Sequence, residues 1–289
     1  MWNRVALLAA GVAFGWTLVN YWTVAAQEVR TQRARLLISV LVAALVIVLL
    51  AVDTAQAAIA GAFVFLFSAV VAYAGNAKQV SKVEQDIPLI TPERPLEIDP
   101  RMAVLLVADG EPQEYDGPNP WARRFKRREA QGKPVPNWFV RPLAYARIRR
   151  AYQAMGGRNP FAEQLTRLSA SLQERMGDGY RVELVSLDTK PRLAPRLYRL
   201  AEDGIMQMTL IPISLQDRTE EMYEHVTNSR VREIGVRVHR AAVLKLAPWS
   251  AEAYEARLDR FIQGEPVAAG DVWDEQVLEE LRGRIAPTA

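Results

Sequence analysis

Three uninterrupted apolar runs open the chain, Val5–Ala26, Leu36–Val52 and Ala57–Ala74, and no charged side chain falls inside any of them. A bilayer core of about 30 Å is crossed by roughly 17–25 helical residues, so each run is long enough to span it. Trp2, Tyr21, Trp22 and Tyr73 stand near run ends, where amphipathic rings prefer the headgroup region. Val24-Ala25-Ala26 also fits a signal-peptide cleavage site. Two further spans follow, however, so the first run reads as a membrane helix. Gly11 and Gly15 form a small-xxx-small pair that permits close helix packing. Spans without charge argue against an ion pathway or proton relay and for an anchor or docking surface.

The pattern changes after residue 75. Residues 76–101 are polar, carry Pro88, Pro92, Pro95 and Pro100, and read as a linker. Met102–Val107 is a short continuous apolar run stopped by Asp109-Gly110-Glu111-Pro112, the signature of a buried strand entering a turn. Leu143–Met155 has helical periodicity and stops at Gly156-Gly157. Asn159-Pro160 opens the next helix, with Phe161, Leu165, Leu168 and Leu172 at helical spacing. Tyr180–Leu187, Met206–Ile211 and Val236–Leu246 read as further strands. Ala194–Glu202, Arg218–Asn228 and Ala251–Ile262 read as helices. Such alternation predicts βαβ units and a four-stranded parallel sheet, a flavodoxin-like α/β domain over 102–263. The tail, 264–289, holds one amphipathic helix marked by Val272, Val277, Leu278 and Leu281. The expected organisation is an anchor at 1–75, a linker at 76–101, the α/β domain and the tail.

Charge sets orientation. Arg30, Arg33 and Arg35 outnumber Glu28 in the first loop, Asp53 is the sole charge in the second, and Lys78 and Lys82 follow the third span. The positive-inside rule then puts the N-terminus outside and the soluble domain in the cytoplasm. Lys+Arg 36 against Asp+Glu 33 leaves too small an excess to argue for a nucleic-acid partner. The absence of Cys removes thiolate chemistry and Cys-based metal sites, and His225 and His239 are the only imidazoles.

Ligands on parallel sheets bind at the carboxyl ends of the strands. This directs attention to Asp109–Glu111, Leu187–Lys190, Pro212–Gln216 and Ala247–Trp249. Asp109, Glu111 and Asp188 could converge there on a hard cation, or serve as turn and helix-capping acids. Glu221 and His225, four apart, share a helix face as a metal pair or a solvated pair. The run Arg123, Arg124, Lys126, Arg127 and Arg128, interrupted by Phe125, has three readings: contact with anionic headgroups, an anion-binding segment, or a solvated face.

Several of these segments together resemble the first domain of ferrochelatases, class II chelatases that insert a divalent metal into a porphyrin. The resemblance runs from Val104-Leu-Leu-Val-Ala-Asp-Gly-Glu-Pro112 through Tyr145 to Gly156-Gly157-Arg-Asn-Pro160-Phe161 and on to Leu210-Ile-Pro212. Gly132-Lys-Pro-Val-Pro136 is similar to the family's Arg-rich, Pro-containing insertion, and Ala247-Pro-Trp249 with the following helix to the end of its first domain. The likeness covers about Met102–Ile262. It implies a chelatase half-domain with a tetrapyrrole or a divalent metal as ligand. Gly110, Pro112, Gly156, Gly157, Asn159, Pro160, Pro212 and Ser214 are then the substrate-binding positions, and the basic run would meet propionates. In the family the catalytic His comes from a second domain, for which the residues after Ile262 leave no room. The acids Asp109, Glu111 and Asp188 stand where the family has apolar or hydroxyl side chains.

The expected function is therefore a membrane-anchored, catalytically degenerate ferrochelatase-like scaffold, or pseudoenzyme, whose partners are the bilayer and other membrane proteins. The alternatives are an active porphyrin metallochelatase of haem or related biosynthesis working with a homodimer mate, with Asp109 or Asp188 as base, and a haem or chlorin delivery protein.

Overall fold

The computed structural model describes residues 2–83, 89–213, 218–246, 250–268 and 275–285. By contacts the chain divides into two units. One comprises Met1–Glu84, Tyr115–Ala151 and Ile262–Glu265; the other comprises Gln85–Glu114, Tyr152–Phe261 and Pro266–Ala289.

The first unit is helical. α1 (Trp2–Thr23), α2 (Val29–Asp53) and α3 (Ala55–Val80) are each long and apolar enough to cross a membrane. α3 continues six residues past the run that predicts it, because Gly75–Val80 carries no proline and Lys78 complements the negative end of the helix dipole. Large apolar side chains on all three helices face outward, among them Leu8, Leu41, Val48, Phe63 and Phe67. Outward apolar surface on this scale fits lipid rather than water as solvent. Gly11 and Gly15 form a true contact face. A Cβ on Gly11 would lie 2.0 Å from Ser68 Oγ, and one on Gly15 2.0 Å from Ala69 O, so α1 and α3 touch backbone to backbone. Asn76, buried between them, donates to Trp16 O at 2.9 Å and Asn20 Oδ1 at 3.0 Å.

The same unit contains α4 (Asn119–Ala130) and most of α5 (Arg141–Ala154). Phe125 of α4 stacks on Tyr145 of α5 with ring centroids 5.7 Å apart. Arg149 of α5 donates to Tyr21 O at 2.7 Å and Val24 O at 2.9 Å, which satisfies carbonyls left open at the end of α1. Tyr115 Oη donates to Thr23 O at 2.9 Å beside it. Burial drives the Arg149 pKa down and the Tyr115 pKa up, so the tyrosine stays a neutral donor.

The second unit is the α/β fold. β1 (Met102–Ala108), β2 (Tyr180–Ser186), β3 (Gln207–Pro212) and β4 (Arg237–Arg240) make one parallel sheet in the order β2-β1-β3-β4. β1 is central and read from sequence as a continuous apolar run because both faces are covered. Ala103, Leu105 and Val107 pack with α7 (Leu193–Glu202) and α8 (Thr219–Asn228) through Leu197, Leu200, Met222 and Val226. On β2, α6 (Pro160–Met176) packs with its stripe Phe161, Leu165, Leu168 and Leu172 buried. α9 (Ala251–Gln263) and α10 (Glu275–Ile285) complete the helices, and Leu278, Leu281 and Ile285 of α10 are buried as its amphipathic pattern requires. The last strand is shorter than its apolar pattern suggests. Among the described residues β4 pairs with β3 alone, from Gln207↔Arg237 to Leu210↔Arg240, and Leu244 makes an isolated bridge to Ile213.

Candidate functional site

The carboxyl ends of β1, β2 and β3 converge on one set of turns within the second unit. β1 leaves the sheet at Asp109-Gly110. Gly110 has φ +88°, and a Cβ there would lie 1.6 Å from Ser186 Oγ, so both conformation and space demand glycine. Ser186 closes β2 and organises the turn. Its Oγ accepts from Asp188 N at 3.1 Å, Thr189 N at 3.0 Å and Thr189 Oγ1 at 3.0 Å, and donates to Asp109 O at 3.2 Å.

Asp109 and Asp188 meet, as their strand-end positions predict, and what joins them is Arg218 at the N-cap of α8. Its guanidinium contacts Asp109 Oδ1, lies 3.1 Å from Asp188 Oδ1, and reaches Glu221 Oε1 at 2.6 Å. The Arg218 side chain is only 8% exposed and that of Asp188 4%. Burial opposes the guanidinium charge, but Asp188, Glu221 and Asp109 outweigh it and raise the pKa, so Arg218 stays charged. Three carboxylates around one buried cation form a closed electrostatic unit.

Glu111 belongs to a different network. Arg257 of α9 lies 2.6 Å from Glu111 Oε1, and Asn159 Nδ2 donates to Glu111 Oε2 at 2.8 Å. Asn159 caps α6 by accepting from Phe161 N at 3.1 Å. The Arg257 guanidinium also lies 4.1 Å from the centroid of the Phe161 ring. Glu111 thus pins the β1 turn to the start of α6 and the middle of α9. Among the described residues no three His, Asp or Glu side chains are grouped so as to hold a metal ion.

The remaining predicted positions divide by role. Gly156 and Gly157, at φ +76° and +90°, terminate α5, with Gly157 N donating to Tyr152 O at 2.8 Å. Pro160 is the first residue of α6. Pro112 O accepts from Tyr152 Oη at 2.7 Å, and Pro212, buried at the end of β3, accepts from Leu244 N at 2.8 Å. Ser214 and Ala247–Trp249 lie outside the described residues. Beside the turns is a cavity of about 110 Å³ whose walls include Gly110, Phe161, Leu165, Ser186, Lys190 and Tyr254. His225 lies on α8 and His239 on the exposed face of β4; neither borders that cavity. Glu221, the partner proposed for His225 from spacing, is taken up by Arg218.

The basic run lies on α4 and is not uniformly solvated. Arg124 and Arg128 are buried, Arg123 and Arg127 half-buried, and Lys126 exposed. The Arg124 guanidinium sits 4.6 Å from the centroid of the Trp121 ring. Sequence reasoning missed the inward arginines because a run of like charges suggests a solvated face. The signal was Trp121 and Phe125, four apart, on the same helix.

No known family profile matches the chain. Ferrochelatase of Aquifex aeolicus (strain VF5) is 32% identical to it over 75 residues, which is 26% of this chain and 24% of that protein. The match thus spans about a quarter of the relative's length. The chain is ferrochelatase-like over that part, and it carries three helices long and apolar enough to cross a membrane.

Proposed function

We propose that this is a membrane-anchored, ferrochelatase-like protein whose α/β unit does not insert metal and acts as a docking subunit at the cytoplasmic face of the membrane. The observation that carries the reading is the position of Arg218. A chelatase cleft has to admit a divalent cation and accept protons from pyrrole nitrogens. Here the two acids best placed for either task, Asp109 and Asp188, are held by a buried guanidinium. Their negative charge is already compensated, and a metal ion would have to displace a cation that is part of the fold.

Size supports the same reading. Cofactor pockets enclose roughly 300–1,000 Å³, against about 110 Å³ here. Gly110 and Ser186, both in the cavity wall, are packed so closely that even a Cβ on Gly110 would lie 1.6 Å from Ser186 Oγ. The cytoplasmic placement rests on Arg30, Arg33 and Arg35 in the first loop and Lys78 and Lys82 after α3.

Purifying the intact protein from its native membrane, recording its absorbance spectrum and identifying co-purifying chains tests the proposal. A docking subunit brings down another membrane protein in fixed ratio and shows no Soret band. A stoichiometric Soret band with no accompanying chain would replace this reading with tetrapyrrole delivery.

A further inference from the structure

The connector between α4 and α5, together with the first turn of α5, carries four large side chains that the first unit leaves uncovered. Trp138, Phe139, Val140 and Leu143 are 41%, 40%, 46% and 39% exposed. Scattered apolar residues on a surface mean little, but four within six positions form a contiguous patch. Its location says what it faces. Tyr73 Oη donates to Phe139 O at 2.6 Å, Ser81 Oγ donates to Trp138 O at 3.3 Å, and the Tyr73 and Phe139 rings are 4.8 Å apart. Trp22 at the end of α1 joins the group, 6.0 Å from Tyr73 edge to face, and Trp138 meets Phe139 at 5.6 Å.

The depth of this cluster follows from helix geometry. Tyr73 is eighteen positions beyond Ala55, the first residue of α3. At 1.5 Å per residue that is about 27 Å along the helix, close to the ~30 Å thickness of the hydrocarbon core. Tyr73 therefore lies at the boundary between acyl chains and headgroups, where Tyr and Trp are favoured. Residues bonded to it lie at the same level. The exposed charges of stretches 72–83 and 131–143 have one sign, Lys78, Lys82 and Lys133, whereas Arg141 is buried and paired with Glu129 at 3.2 Å. An apolar patch with exposed lysines in its flanking stretches at headgroup depth is the composition of an interfacial membrane anchor.

We infer that the connector around Trp138–Leu143 inserts into the headgroup–acyl boundary of the same bilayer that α1–α3 cross, as a fourth, non-spanning attachment that uses anionic lipid. Tyr73 ties the patch to α3, on which Val70 and Val71 are exposed. This inference does not depend on whether the α/β unit is a catalyst.

The sequence has no Cys, so one introduced Cys gives one label. The full chain carrying Val140→Cys is nitroxide-labelled and reconstituted into vesicles of phosphatidylcholine and phosphatidylglycerol. Collision rates with oxygen, which partitions into lipid, and with a water-soluble nickel chelate are then compared. Leu66→Cys on the outward face of α3 serves as the lipid reference, and Glu174→Cys on the exposed face of α6 as the aqueous one. The expected oxygen-to-nickel ratio at position 140 exceeds the aqueous reference several-fold and moves toward the lipid reference. A ratio equal to that of Glu174→Cys would overturn the inference. Leu143→Cys gives an independent reading of the same depth should V140C fail to fold.

Discussion

Replacing Arg218 by methionine keeps much of its stem volume and removes the charge that holds Asp109, Asp188 and Glu221 together. Asp188, with 4% of its side chain exposed, is then left buried without its cation. Breaking a buried pair from one side costs about 3–5 kcal/mol, since the orphaned charge keeps its desolvation penalty. At 1.36 kcal/mol per decade, opening of the α/β unit becomes about 10²- to nearly 10⁴-fold more frequent. Hydrogen exchange read by mass spectrometry on peptides covering β1 and β3 measures this within the full chain, separately from the membrane helices. The expected outcome is loss of protection of that order in R218M. Partial recovery is expected when Asp188→Asn is added, with a coupling of about 0.5–3 kcal/mol. Protection in R218M within threefold of the parent would refute the argument, because Arg218 would then contribute almost nothing to the fold.

Other outcomes follow from the same structure. Gly110→Ala forces a Cβ against Ser186 at φ +88°, and a loss of about 1–3 kcal/mol in the α/β unit is expected by the same exchange measurement. Gly15→Val pushes α1 off the Ala69 carbonyl of α3, and a lowered melting temperature of the helical unit in detergent, followed by tryptophan fluorescence, is expected. Glu183 faces two opposing influences. Burial raises its pKa, but bonds from Arg196 and Arg181 outweigh it and hold the pKa below the usual carboxylate value. A depressed folded-state pKa contributes stability that is present above the unfolded value and lost as pH falls through the folded one. Glu183→Gln should therefore flatten the loss of stability below about pH 4.3, checked by denaturation across that range. Protease added to right-side-out vesicles should spare the α/β unit; digestion there would invert the proposed topology.

Much of this architecture was legible because one physical signal dominated each stretch. Unbroken apolar runs gave the three long helices, and alternation of short apolar strands with amphipathic helices gave the parallel sheet. Gly156-Gly157 and Asn159-Pro160 marked a helix end and a helix start because left-handed glycine and Asn capping are local effects. The site was legible only in part. Strand-end position alone brought Asp109 and Asp188 together, but their cation lies thirty residues beyond Asp188 and depends on how α8 enters the sheet. Glu111 is two residues from Asp109, yet its partners are Arg257 and Asn159, contacts that no local pattern encodes. The inward arginines of α4 were hidden for a related reason. A cation buried against an aromatic ring looks, in sequence, like any solvated base.

Metal insertion by the intact protein is the most direct test of the proposed non-catalytic role. The full chain, reconstituted in lipid, is supplied with a dicarboxylic porphyrin and a divalent metal, and loss of free-porphyrin fluorescence is followed. The account predicts a rate equal to that of vesicles without protein, because Arg218 holds both acids that could accept pyrrole protons. Turnover above that background, abolished by Asp109→Asn or Asp188→Asn, would contradict it and make this chain a working chelatase.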